Sequence, residues 1–125
     1  MITGAHVLLY SHDAEADRAF FRDVLEFRWV DAGHGWLIFK LPRAEAALHP
    51  TDGDPAEGHA APAMLGAELY LMCGDLQAMI QSLAAKNVVC APIDKAPWGI
   101  KTTIRLPSGG AIGLYQPTHP TALGL

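Results

Sequence analysis

The sequence predicts an α+β fold in which two tandem βαβββ modules form a curved, eight-stranded mixed sheet around a cleft. Three observations point there. Strand-like and helix-like patterns recur in the same order in the two halves, a stretch rich in Gly, Pro and Ala separates them, and two sets of landmarks repeat at matching spacing. His6 precedes Asp13 by seven residues, just as Glu68 precedes Asp75. Leu41-Pro42 before Ala47-Leu48-His49 likewise parallels Leu106-Pro107 before Gly113-Leu114-Tyr115, with one residue of difference in the turn.

Each element has a local reason. His6-Val7-Leu8-Leu9-Tyr10 is β-branched, aromatic and apolar and stops at short polar residues, which predicts a strand over 5–11. Asp13 then stands at an N-cap, Glu15 and Asp17 fall in the first turns where the helix dipole favours acids, and Phe20, Phe21, Val24 and Leu25 recur at helical spacing. Strands are expected over 27–31, 36–41 and 44–49, divided by the turn signals Ala32-Gly33-His34-Gly35 and Pro42-Arg43. Residues 51–66 have no apolar periodicity and read as a connection. The second half repeats the scheme. A strand from Ala67 to Met72 leads through Gly74-Asp75 into a helix with Leu76, Met79, Ile80 and Leu83 at i, i+3, i+4 and i+7; strands follow over 88–91, 101–106 and 111–115, the last two joined by Pro107-Ser108-Gly109-Gly110. The 125 residues therefore read as one domain, with module one about 1–50, the linker about 51–66, module two about 67–117 and a short C-terminal tail.

Composition narrows the function classes. Half the residues are apolar and 18% are charged, as in ordinary globular proteins. A formal charge of -4 lacks the basic surplus that nucleic acid demands, and no apolar run is long enough to cross a bilayer. With no basic stretch followed by an apolar core at Met1 to His6, a cytoplasmic protein is expected. Cys73 and Cys90 suit neither a disulfide scaffold nor a zinc site, and Cys73, at the end of an apolar run, reads as an inert thiol. No serine or cysteine sits in a nucleophile elbow, and Gly109-Gly110 belong to a hairpin, not to a phosphate loop.

The stretches His6 to Asp13, Phe20-Phe21-Arg22-Asp23-Val24-Leu25 and Pro107 to Tyr115 give the chain a likeness to a known group. Over nearly its whole length it resembles the glyoxalase, bleomycin-resistance and extradiol-dioxygenase proteins of the vicinal oxygen chelate superfamily. One departure is Glu26, where relatives place Gly to accept a left-handed helix end; Asn87, at the matching place, tolerates that conformation. The scaffold carries isomerases, epimerases, dioxygenases, thiol transferases and drug-sequestering proteins, so it implies no single activity. In metal-dependent relatives each half gives one ligand from its first strand and one from its last. The matching places here are His6, Ala47, Glu68 and Gly113, of which two can bind a metal. His49 would complete a set of two histidines and a carboxylate, but it lies two residues beyond Ala47, a displacement of ~6.5 Å along a strand against metal bonds of ~2 Å.

Two readings follow. In the first, the protein binds an aromatic or amphipathic small molecule in the cleft with an incomplete metal site, and Tyr10, His49, Tyr70, Trp98 and Tyr115 contact the ligand. In the second, one divalent ion on His6, His49 and Glu68 serves a lyase, isomerase or extradiol-type dioxygenase. Without metal, His6 and Glu68 remain candidate catalytic acid-base partners, or a structural hydrogen bond. Trp29 and Trp36 are assigned to core or subunit interface, and His12, His34, His59 and His119 to solvated surface. Relatives of this length imply a homodimer.

Overall fold

The computed structural model describes residues 1–50 and 64–125. Most of the expected linker, with His59, lies outside the described residues. Helix α1 (Ala14–Asp23) begins where Asp13 accepts the Ala16 N–H at 3.1 Å and carries Glu15 and Asp17 in its first turn and Arg22 in its last. Strands β1 (Trp29–Asp31) and β2 (Leu37–Phe39) form an antiparallel hairpin, whose turn is tied by Asp31 accepting the N–H groups of Gly33 and Gly35 at 2.7 and 3.2 Å. Strand β3 (Tyr70–Met72) leads into α2 (Leu76–Ala85), capped by Asp75 on the Ala78 N–H at 3.0 Å. Strands β4 (Asp94–Ala96), β5 (Gly99–Arg105) and β6 (Ala111–Pro117) complete a sheet of order β3-β6-β5-β4, with β3 parallel to β6 and the other pairs antiparallel.

Both helices end on a left-handed residue, Glu26 at φ 59° and Asn87 at φ 63°. At α2 the end is a Schellman closure, in which the Val88 N–H donates to Leu83 O at 2.9 Å and the Asn87 N–H to Ala84 O at 3.0 Å. The equivalence of the two helix ends, read from sequence, thus holds in the backbone.

Strand parity separates two faces. Leu71, Leu114 and Thr102 lie in one cross-strand row and Ile112 and Ile104 in the next; Leu114, Thr102, Ile112 and Ile104 are buried, and Leu76 and Leu83 of α2 with Phe20 and Phe21 of α1 join the apolar ones among them in one core. Leu76 and Leu83 are seven residues apart and share a helix face, as the apolar spacing requires. The two halves are also joined by polar bonds. Asp17 accepts from Ser11 Oγ at 2.7 Å, Ser108 Oγ at 2.6 Å and the Ser108 N–H at 3.0 Å, and Lys86 Nζ donates to Val24 O at 2.9 Å.

Against the eight strands expected, the described residues contain six ladder strands in two sheets. Residues 5–11 and 44–49 lie outside both ladders, and 88–91 contributes only the isolated bridge of Cys90 to Ile104. β4 is an unexpected strand. Apolar alternation identifies a segment that favours extended backbone, but a strand exists only where a neighbour takes its hydrogen bonds. The first segment finds none among the described residues, and Leu8 and Tyr10 stand 65% and 94% exposed. Trp29 and Trp36 are likewise exposed, so neither is core; the Trp36 ring lies under the Arg18 guanidinium at 4.4 Å.

Candidate ligand-binding site

The face of the larger sheet opposite the core carries the aromatic residues that the sequence singles out. Its rows follow from register: Met72, Tyr115, Lys101 and Asp94 form one, Tyr70, Gly113 and Thr103 the next, and Ala111 and Arg105 a third. Tyr70 and Tyr115, one on β3 and one on β6, meet edge to face with centroids 5.7 Å apart. Trp98 reaches the same ring from the β4–β5 turn, at 5.8 Å and 75°. That turn has only two residues, Pro97 and Trp98, because Ala96 pairs directly with Gly99. Gly99 has φ +154°, and a Cβ there would stand 2.5 Å from Gln116 O, so only glycine lets β5 start against β6 and bring Trp98 over Tyr115.

Two residues join this cluster that sequence reasoning left out. His119 stacks on Tyr115 with ring planes 21° apart and centroids at 6.1 Å. Its Nδ1 lies 2.7 Å from Pro120 O, an atom that can only accept, so in the neutral ring Nδ1 carries the proton and Nε2 accepts from the Tyr115 hydroxyl at 3.1 Å. The tail is held there by the Thr118 N–H on Trp98 O at 2.9 Å, Thr118 Oγ1 on Pro97 O at 3.1 Å, the Ala122 N–H on Glu45 Oε2 at 2.6 Å and Arg43 Nη1 on Leu123 O at 3.2 Å. His119 is therefore a half-buried site residue, and its reading as solvated surface is corrected. Pro117 and Pro120, which restrict the backbone around it, are the one local signal of an ordered tail. Lys101, the second addition, places Nζ 5.3 Å from the Trp98 ring centroid and 3.9 Å from Asp94. Tyr115 is 9% exposed, and burial first, then the charge of Glu45, pushes its hydroxyl pKa up, so it works as a neutral hydrogen-bonding group.

The other expected site residues are not brought here. His6, His49 and Glu68 are exposed, and no hydrogen bond or ion pair joins His6 to Glu68 among the described residues. Tyr10 projects into solvent, since its segment belongs to no sheet. Nor do the described residues hold any group of three or more His, Cys, Asp or Glu side chains close enough for a metal ion.

Gly113 stands at the fourth place where metal-dependent relatives carry a ligand. A Cβ built on Gly113 overlaps the van der Waals envelope of the Tyr70 ring, 2.8 Å from Cγ and closer still to Cδ1 and Cε1. The space for a ligating side chain is taken by an aromatic ring, and Ala47 offers no donor at its counterpart in module one. The residues do not fit a four-ligand divalent site.

Away from the aromatic face, a concavity of about 420 Å³ lies at the outer edge of β3, between α2 and the loop after α1, lined mainly by Leu25, Phe27, Leu71 and Met79. Its ionisable groups are spent: Asp75 caps α2, and burial raises the Cys73 thiol, with Cys90 adding to the shift. It offers apolar surface and no chemistry.

No protein-family model matches the chain, and no curated protein matches it. Solved structures do. TnmS3, an antibiotic binding protein from Streptomyces sp. CB03234, is similar at TM-score 0.61 and 25% identity, over 94% of this chain and 100% of that one. A glyoxalase/bleomycin resistance protein from the same organism is similar at TM-score 0.54 and 25% identity, over 85% and 93%. The fold is that of the vicinal oxygen chelate superfamily. Lactoylglutathione lyase from Agrobacterium tumefaciens, at TM-score 0.56, 19% identity and 86% and 88% coverage, shares this fold. The superfamily scaffold thus carries the open face with its aromatic residues, and neighbours on it include both a binding protein and a lyase.

Proposed function

We propose that this protein is a cytoplasmic small-molecule-binding protein of the bleomycin-resistance kind, which holds an aromatic or amphipathic ligand against Tyr70, Tyr115 and Trp98 with no resident metal. The observation that carries this reading is the Tyr70 ring lying over Gly113, which turns a ligand position into apolar floor. Three aromatic side chains from β3, β6 and the β4–β5 turn, with Tyr70 and Trp98 set edge to face on Tyr115, give a ligand rigid apolar surface at low cost in side-chain entropy. The antibiotic-binding role named for TnmS3, a neighbour matched over 94% of this chain and 100% of its own, supports the same class.

The proposal includes a homodimer. A second copy would offer hydrogen-bond partners to residues 5–11 and 44–49, complete two βαβββ modules in each chain's eight-stranded sheet, and cover Leu8, Tyr10, Trp29 and Trp36. In that assembly Tyr10 and His49 would reach the ligand as rim contacts.

Elemental analysis and ligand titration test the reading together. Protein purified without added metal is expected to contain well under one equivalent of any divalent ion and to show Trp98 fluorescence quenching by planar aromatic probes, lost in Trp98→Ala. One equivalent of a divalent ion, removed by His6→Ala or Glu68→Ala with the fold intact, would replace this reading with the metal-dependent lyase, isomerase or dioxygenase.

A further inference from the structure

The open face is divided by chemistry as well as by strand. Its β3 and β6 rows end in rings, Tyr70 and Tyr115, whereas the β5 row presents Lys101, Thr103 and Arg105 at alternate positions, hence on one face at ~6.5 Å intervals. This is a polar rail with a cation at each end and a hydroxyl between, beside an aromatic floor, in a chain whose formal charge is -4.

Neither cation is strongly engaged. Lys101 has Asp94 at 3.9 Å, a long contact to a carboxylate whose side chain is 67% exposed, and Arg105 has no ion pair among the described residues. The acids on the other side are distinct: Glu45 accepts the Ala122 N–H, and Glu68 lies two residues before Tyr70 at the far edge of the sheet. The cations of this face are therefore gathered along β5, with Asp94 of β4 beside Lys101 and the other acids toward β3 and the tail. The Tyr70 ring covers Gly113, and next in the same row stands Thr103, so a ligand ring lying on Tyr70 and Tyr115 would direct a substituent past the edge of Tyr70 to Thr103 and its flanking cations.

We infer that the ligand is a planar aromatic acid, its ring on the Tyr70, Tyr115 and Trp98 surface and its anionic group on the Lys101-Thr103-Arg105 rail. This rests on the binding reading above and adds the charge of the ligand. Lys101, held over the Trp98 face, is oriented before binding, and charge-assisted bonds to it and to Arg105 give discrimination that stacking alone cannot.

The test compares 2-naphthoate with its neutral near-isostere 2-naphthamide by calorimetry, on the wild-type protein and on the Lys101→Met, Arg105→Met double variant. Both substitutions are at solvent-facing positions and keep the apolar stems, and circular dichroism checks the fold. Wild type is expected to favour the acid by about tenfold, a preference that shrinks with added salt, and the double variant to bind the two probes equally. Equal affinities in wild type, or a preference that survives in the double variant, would overturn the anionic assignment while leaving the aromatic site standing. Failure of wild type to bind either probe would overturn the site itself.

Discussion

Single atoms decide the character of the site. At Gly113 a methyl group has nowhere to go unless the Tyr70 ring moves, so Gly113→Ala is expected to cost about 1 to 3 kcal/mol. Removing the ring as well, in Tyr70→Ala/Gly113→Ala, should recover part of that loss, and a double-mutant cycle from urea unfolding measures the coupling. Glu26 is strained in the opposite sense, as a non-glycine residue at φ 59°. Glu26→Gly is expected to raise stability by about 0.5 to 1 kcal/mol, since relief of the left-handed penalty exceeds the entropy glycine brings to the unfolded chain and the loss of a 3.8 Å contact to Lys86. Asp17 is a buried acid with no ion pair among the described residues. Burial would raise its pKa, but the hydroxyls of Ser108 and Ser11 and the Ser108 N–H together outweigh burial and hold it below the usual carboxylate value of 3.8. Its folded pKa being the lower one, its contribution is complete above the unfolded value and is lost as pH falls through the folded one. Asp17→Asn should therefore weaken the protein by about 2 kcal/mol at neutral pH and flatten the acid limb of the stability curve, which unfolding midpoints between pH 7 and pH 2 would record.

At the scale of elements, the two helices show what local sequence can impose. Asp13 and Asp75 each cap a helix of ten residues by the same bond to the third residue on, and the apolar spacing within each helix selects the buried face. Asp75→Ala should lower stability by about 1 kcal/mol without altering ligand affinity, because the cap is on the core side of the sheet and touches none of the three rings. Strands behave differently. The β5–β6 hairpin forms as expected around Pro107 to Gly110, closed by the Leu106 N–H on Gly110 O at 2.7 Å, whereas the equally apolar 5–11 segment remains outside any ladder. The difference is not in composition. β5 and β6 are joined by a short turn that aligns their hydrogen-bonding groups, while 5–11 has only long-range partners.

For the molecule as a whole, an apolar extended segment and two exposed tryptophans are surfaces a lone chain leaves to water. If a second copy covers them, light scattering will give twice the chain mass, and Leu8→Lys together with Tyr10→Lys will return the monomer with reduced affinity for aromatic probes. A monomer at every concentration, with ligand binding intact, would remove the dimer from the proposal. Among the described residues no helix is long and apolar enough to cross a membrane.

How much was legible follows from the range of each interaction. Caps, helix faces, the left-handed end at Asn87, the hairpin turn and the parity that groups Tyr70 with Tyr115 all depend on residues a few positions apart, and the sequence by itself determined them. It also placed Trp98 in a loop at the rim, where the structure finds it in the β4–β5 turn against Tyr115. Only the tertiary structure decided that His119 folds back onto Tyr115, that Lys101 stands over Trp98, that Tyr70 fills the space above Gly113, and that His6, His49 and Glu68 stay apart. Those outcomes turn on which strands find partners and how closely two backbones approach, and such quantities are set by packing across the whole chain, which no local pattern encodes.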